Sequence, residues 1–210
     1  MPDEVASFAD LDLGRTARRG YPEAVYCAGK TPEQVAAIAA AVRARPDIVT
    51  LFTRAGPAHA AAVLRELPDA CHDADAALLA WPPEPPQPAG RLVVVVAAGT
   101  SDLPVAREAM QTARYLGRPT ELVVDVGVAG LHRVLARLDL LRSARVVVVA
   151  AGMDGALPSV VAGLVAAPDR PQVGARVDQG AEEHVTGDSR GRVDPGLPVA
   201  RHASPAGAAI

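Results

Sequence analysis

Between residues 91 and 168 one pattern occurs three times: a short apolar run, a glycine-bearing loop, then an amphipathic helix. Residues 92–98 (LVVVVAA) lead into Gly99-Thr100-Ser101-Asp102 and a helix over 104–116 that stops at Gly117. Residues 121–126 (ELVVDV) lead into Gly127-Val128-Ala129-Gly130 and a helix over 131–141. Residues 145–150 (RVVVVA) lead into Ala151-Gly152-Met153-Asp154-Gly155 and a helix over 157–166. Continuous β-branched runs, unlike alternating ones, suit strands covered on both faces. Strand, helix, strand at this spacing predicts a parallel α/β sheet.

The rest of the chain is less uniform. Thr31-Pro32-Glu33-Gln34 reads as a helix start with a capping box, followed by Val35, Ile38, Ala39 and Val42 on one face. Residues 47–53 are strand-like, 58–67 helical and 75–81 a weak strand, so 1–80 forms a small N-terminal α/β unit. Residues 15–30 show no clean period and read as a lid, a connecting arm or a surface loop. The five prolines of WPPEPPQPAG (81–90) predict an extended, semi-rigid linker. Residues 169–210 hold five valines, one leucine, one isoleucine and no aromatic residue. So few large apolar groups cannot offset ordering entropy, and the segment reads as a disordered tail.

Composition narrows the function classes. Lys and Arg total 21 against 24 Asp and Glu, a net charge of −3, which gives no broad field for nucleic acid or an anionic membrane. The apolar runs are too short to span a bilayer, and the acidic N-terminus is no signal peptide. Cys27 and Cys71 form no metal or redox spacing, and His59, His72, His184 and His202 form no ligand set. A protein of the cytoplasm with no resident metal is the expectation.

A parallel sheet presents all three glycine-bearing loops at the carboxyl ends of its strands, where open α/β sheets bind ligands. Helix starts there offer amide groups to a phosphate. The candidate residues are Gly99, Thr100, Ser101, Asp102, Gly130, His132, Arg133, Gly152, Met153, Asp154 and Gly155. Taken singly, Ser101 or Asp102 reads equally as a helix cap, His132 and Arg133 as solvated helix-start residues, and 152–155 as a tight turn. Neither the dinucleotide glycine fingerprint nor a P-loop is present. A phosphorylated small molecule is the ligand class that fits the three loops together.

Three segments carry a resemblance: AAGTSDLPVAREAMQTARYLG, DVGVAGLHRVL and VVVVAAGMDGALPSVVAGLVAAP, in this order. They resemble the PurE-like superfamily and, within it, the LarB family of nickel-pincer cofactor biosynthesis carboxylases. RRGYPEAVYCAGKTPEQVAAIAAAV is similar to the front segment of that family. The resemblance covers roughly residues 8–168. It implies a three-layer sandwich with a parallel sheet, PurE/flavodoxin-like, with the small α/β unit in front. It also implies a homo-oligomer and no tightly bound cofactor, with magnesium left open.

The implied reaction carboxylates nicotinic acid adenine dinucleotide with CO2 or bicarbonate and hydrolyses its phosphoanhydride, giving pyridinium-3,5-biscarboxylic acid mononucleotide and AMP. In the family a cysteine thiolate adds to the electron-poor ring, the resulting enamine takes CO2, a base removes the ring proton, and the thiolate leaves. The resemblance gives Asp154 the place of the base, one methylene shorter than the family's Glu, and groups Ser101 and Asp102 with it. Backbone amides at 99–102 and near Arg133 would hold phosphate and ribose.

After Pro168 the family continues with a buried strand, a glycine-rich loop, an apolar helix and the nucleophilic cysteine. The residues from Asp169 onward are expected to supply none of these, as a shifted reading frame or a decayed gene would produce. Two other functions stay open: a PurE-type aminoimidazole ribonucleotide carboxylase or mutase, disfavoured by the missing loop histidine, and an inactive nucleotide-binding remnant.

Overall fold

The computed structural model describes residues 8, 9, 11, 12, 14–153 and 155–165, and the backbone of two strands at 172–176 and 185–186. After a short helix, α1 (Arg15–Arg19), the front unit has four strands: β1 (Glu23–Tyr26), β2 (Thr50–Thr53), β3 (Cys71–Asp73) and β4 (Leu78–Trp81). They form a sheet in the order β1-β2-β4-β3, with β1 and β2 parallel and the other pairs antiparallel. Two helices, α2 (Pro32–Arg43) and α3 (Pro57–Glu66), cover one face.

The start of α2 is as the sequence reads. Thr31 Oγ1 accepts from the Gln34 amide at 3.2 Å, and Gln34 Oε1 accepts from the Thr31 amide at 3.0 Å. Val35, Ile38, Ala39 and Val42 are buried against Val25, Phe52 and Leu79. The aperiodic stretch 15–30 resolves into α1 and β1. The single weak strand read over 75–81 is instead a hairpin, β3 and β4. β3 is only three residues long and mostly polar (CHD), too brief to print a pattern.

The second sheet contains β5 (Val93–Ala97), β6 (Thr120–Val123), β7 (Val146–Ala150), β8 (Gln172–Arg176) and β9 (Val185–Thr186) in the order β6-β5-β7-β8-β9. The pairs from β6 to β8 are parallel and β9 is antiparallel. Both faces are covered, as the unbroken Val runs require. Val94, Val96, Val147 and Val149 face the helices α5 (Leu131–Leu135), α6 (Leu138–Ser143) and α7 (Ala156–Leu164). Val93, Val95 and Ala97 face α4 (Leu103–Tyr115) on the other side. This is the parallel α/β fold the sequence predicts. The helix read over 131–141 is broken in two, at Ala136 and Arg137. No described helix is long and apolar enough to cross a membrane.

One expectation is corrected in part. No strand was expected beyond Pro168, yet Gln172–Arg176 pairs in parallel with Val146–Ala150. Edge pairing uses main-chain groups and an unpaired edge offers a ready template, so apolar side-chain content is a poor guide to it. Val185–Thr186 pairs antiparallel with Gln172–Arg176 in turn, and the remaining residues of 169–210 lie outside the described residues.

α4 does more than cover one sheet. Leu103, Ala106, Met110 and Ala113 lie on the second sheet, while Tyr115 packs with Leu51, Ala76, Leu78 and Ala80 on the free face of the first. Layers therefore run α2/α3, first sheet, α4, second sheet, α5–α7. The contact is polar along the middle of the helix and apolar at its carboxyl end. Asp73 Oδ2 accepts from Gln111 Nε2 at 2.9 Å and from Arg107 at 3.4 Å, while Oδ1 accepts from the Ala76 amide. Arg54 Nε pairs with Glu108 Oε2 at 3.1 Å. Tyr115 donates to the Pro83 carbonyl at 2.6 Å, and the Ala89 amide donates to Gly117 O, so the proline-rich segment is strapped to α4 rather than spacing two free bodies.

Burial pushes the Asp73 carboxyl up, but hydrogen bonds from Gln111, Ala76 and Arg107 and the charge of Arg107 outweigh it and hold the group below the usual carboxylate range. Its stabilisation is therefore present above the unfolded value near pH 4 and lost as pH falls through the lower folded value. Removing the carboxylate leaves Gln111 and the Ala76 amide without an acceptor. Asp73→Ala is expected to lower stability at pH 7 by about 2–4 kcal/mol in urea unfolding. The variant should also lose the part of the wild-type decline below pH 4 that Asp73 causes; an equally steep decline in both proteins would contradict the assignment.

Candidate functional site

In the order β6-β5-β7 the chain leaves β5 toward one side and β7 toward the other, so the crevice between the carboxyl ends of β5 and β7 is the switch point of the sheet. Asp102 spans it. Its Oδ2 accepts from the Gly99 amide of its own loop at 2.9 Å, and its Oδ1 accepts from the Gly152 amide of the β7 loop at 2.8 Å. Both carboxylate oxygens are thus engaged by main chain from the two sides of the crevice. Asp102 stands at the start of α4 but its side chain does not cap it.

The β6 loop closes on the same edge. The Val126 amide donates to Ala97 O, and a Cβ on Gly127 would lie 3.1 Å from the Ala98 carbonyl, a tight contact that favours glycine here. Gly155, at φ +63°, forms the left-handed entry to α7. Thr100, Ser101 and His132 are exposed, Gly99 and Gly152 half-buried, and Gly130 buried. Arg133 lies over Gly130, whose Cβ would come within 2.7 Å of Arg133 Nε. Met153 is 96% exposed, and Asp154 lies outside the described residues.

One residue of this edge was not singled out from sequence. Asp125 holds φ +57°, uncommon for any residue but glycine, and its Oδ2 is 2.5 Å from Arg133 Nη1. Both side chains stay substantially in solvent. Asp125 therefore occupies the cation that the sequence assigns to a phosphate. Only its place beside two glycines of one loop could have drawn attention to it.

What this edge can do chemically follows from its groups. It presents hydroxyls from Thr100 and Ser101, an imidazole from His132 and a guanidinium from Arg133, around a crevice whose walls are tied by Asp102. These are groups for binding and orienting an anion. Among the described residues no three His, Cys, Asp or Glu side chains are grouped to hold a metal ion. Neither cysteine is on this edge: Cys71 is on β3, and Cys27 follows β1 in the front core, where burial pushes its thiol up to about 11. A thiol so placed is not a ready nucleophile.

Comparison with known proteins bears on the front unit. Residues 3–83 match the LarB/PurE-like N-terminal domain. An uncharacterized protein of Methanocaldococcus jannaschii is 45% identical over 78 residues, which make up 36% of this chain. The match spans only 30% of that relative's own length. The chain is thus similar, over its first sheet and the two helices upon it, to the LarB/PurE-like N-terminal domain, and this similarity supports a place in the PurE-like superfamily.

Proposed function

We propose that the chain binds a nucleotide at the carboxyl edge of the second sheet and that its activity is of the carboxylase type, with nicotinic acid adenine dinucleotide as substrate and CO2 or bicarbonate as co-substrate. The observation that carries this reading is the switch-point crevice whose two walls are tied by Asp102. Similarity of the front unit to the LarB/PurE-like domain supports the choice of chemistry.

In this reading the phosphate next to the nicotinate ribose displaces Asp125 from Arg133 and takes amides of the β5 loop. Ser101 and Thr100 hydrogen-bond to phosphate or ribose oxygens. Asp102, with both oxygens committed, is a positioning residue rather than a base. Asp154 would remove the ring proton after CO2 adds. The thiolate that activates the ring in the LarB family is supplied by neither Cys27 nor Cys71. Substrate binding and turnover are therefore expected to separate: the purified chain should bind the dinucleotide and release little AMP.

Two substitutions test the geometry. Asp102→Ala unties the loops and should weaken nicotinic acid mononucleotide about tenfold by calorimetry, the effect of losing a positioned crevice. The thermal midpoint should move little. Asp125→Asn keeps the shape and removes the competing charge, so mononucleotide binding should tighten about two- to fivefold, and less so at high salt. Weaker binding in Asp125→Asn would show that the carboxylate helps the ligand instead. Rapid AMP release by the wild-type chain would overturn the separation of binding from turnover. Conversion of aminoimidazole ribonucleotide would overturn the choice of substrate.

A further inference from the structure

The helix α1 (Arg15–Arg19) buries none of its five residues, so neither packing nor propensity at that length holds it. Arg15 and Arg19 stand one turn apart on one face, where like charges repel. Arg15 also lies in the first turn, where the positive end of a helix disfavours a cation and no acid offsets it. Gly20, left-handed at φ +78°, ends the helix with its amide on Thr16 O at 2.9 Å. The chain turns back there, and the Tyr21 ring meets both arginines. Their guanidinium carbons lie 5.3 Å (Arg15) and 5.8 Å (Arg19) from the ring centroid.

Donors converge at the phenol. Nε and Nη2 of Arg19 both lie 3.4 Å from Tyr21 Oη, so the oxygen accepts and its own proton is left to donate. Hydrogen bonds from Arg19 and Arg15 hold the phenol below its ordinary value. Carboxylates answer two of the three arginines of α1: Arg18 pairs with Asp12, and Arg15 Nη1 with Glu23 Oε1 at 2.8 Å. Among the described residues no carboxylate pairs with Arg19. Arg15 Nε is withdrawn from solvent and has no acceptor. A cation–π pair needs one guanidinium on the ring, and a basic last turn suits the carboxyl end of a helix. Neither accounts for Arg15 in the first turn, nor for two guanidinium groups on one phenol.

We propose that Arg15, Arg19 and Tyr21 form an anion site in the front unit that takes a phosphate group, free or as a monoester. The phosphate accepts from the planar fork of Arg19, from Arg15 and from the Tyr21 hydroxyl. It supplies the negative charge that the arginine stripe lacks, and by offsetting the repulsion between Arg15 and Arg19 it steadies α1. The site belongs to the front unit alone and does not depend on the nucleotide reading of the second sheet.

The full chain has three tyrosines, Tyr21, Tyr26 and Tyr115, whose ring carbons can be followed by NMR while inorganic phosphate or methyl phosphate is added. Sodium chloride at matched ionic strength is the control, and Tyr21→Phe assigns the Tyr21 signal. Phosphate should move that signal saturably and leave Tyr26 and Tyr115 in place, and chloride should not move it. Arg19→Gln should weaken binding about tenfold, and Arg19→Lys, which keeps the charge without the fork, about threefold. Because α1 buries no residue, both variants should keep the wild-type Trp81 fluorescence. Methyl phosphate binding as well as inorganic phosphate would assign the site to a phosphomonoester, and a response to inorganic phosphate alone would assign it to the free anion. No movement of Tyr21, a response that chloride matches, a shift spread over all three tyrosines, or wild-type affinity in Arg19→Gln would overturn the proposal.

Discussion

The arrangement of this protein depends on α4 having two working faces. Residues 103–115 lay Leu103, Ala106, Met110 and Ala113 on the second sheet and turn Arg107, Glu108, Gln111 and Tyr115 to the first. Neither sheet could shed this helix cheaply. The first would expose Leu51, Leu78 and Ala80, which are almost wholly buried, and the second would expose Val93, Val95 and Ala97. Asp73 adds direction to the contact, because its Oδ2 is satisfied only when Gln111 and Arg107 are in register.

That shared layer also places the chemistry. Because β5 delivers the chain directly into α4, the helix start is fixed beside the switch point, and Asp102 is held where it can reach Gly152 on the opposite wall. The first sheet meets the middle of the same helix through Arg54, which follows β2 and pairs with Glu108. A packing constraint thus brings segments far apart in sequence onto one helix.

The sequence made much of this legible. Unbroken valine runs announced strands buried on both faces, and Thr31 to Gln34 announced a capped helix start, because both signals are local and carry one meaning. β3 was hidden by its brevity. The pairing of Gln172–Arg176 was hidden because main-chain bonding leaves no mark on composition. The double role of α4 was also hidden: the sequence shows only an amphipathic helix, and only tertiary structure shows Asp73 and Arg54 opposite Arg107, Glu108 and Gln111. At the site, the glycine loops were visible as a set. Asp102 was visible as a residue but not as a clip, since its partner Gly152 lies 50 positions away. Asp125 was missed because a positive φ outside glycine has no sequence signature.

Trp81, the single tryptophan, lies at the end of β4 against the front core and reports on the first sheet alone. Hydrogen exchange of the β5 and β7 amides reports on the second. If α4 joins the two sheets into one cooperative body, denaturant unfolding followed by Trp81 fluorescence and by exchange of those amides must give the same midpoint and the same free energy. Two separated transitions, with Trp81 reporting the loss of the first sheet while β5 and β7 stay protected, would contradict the account.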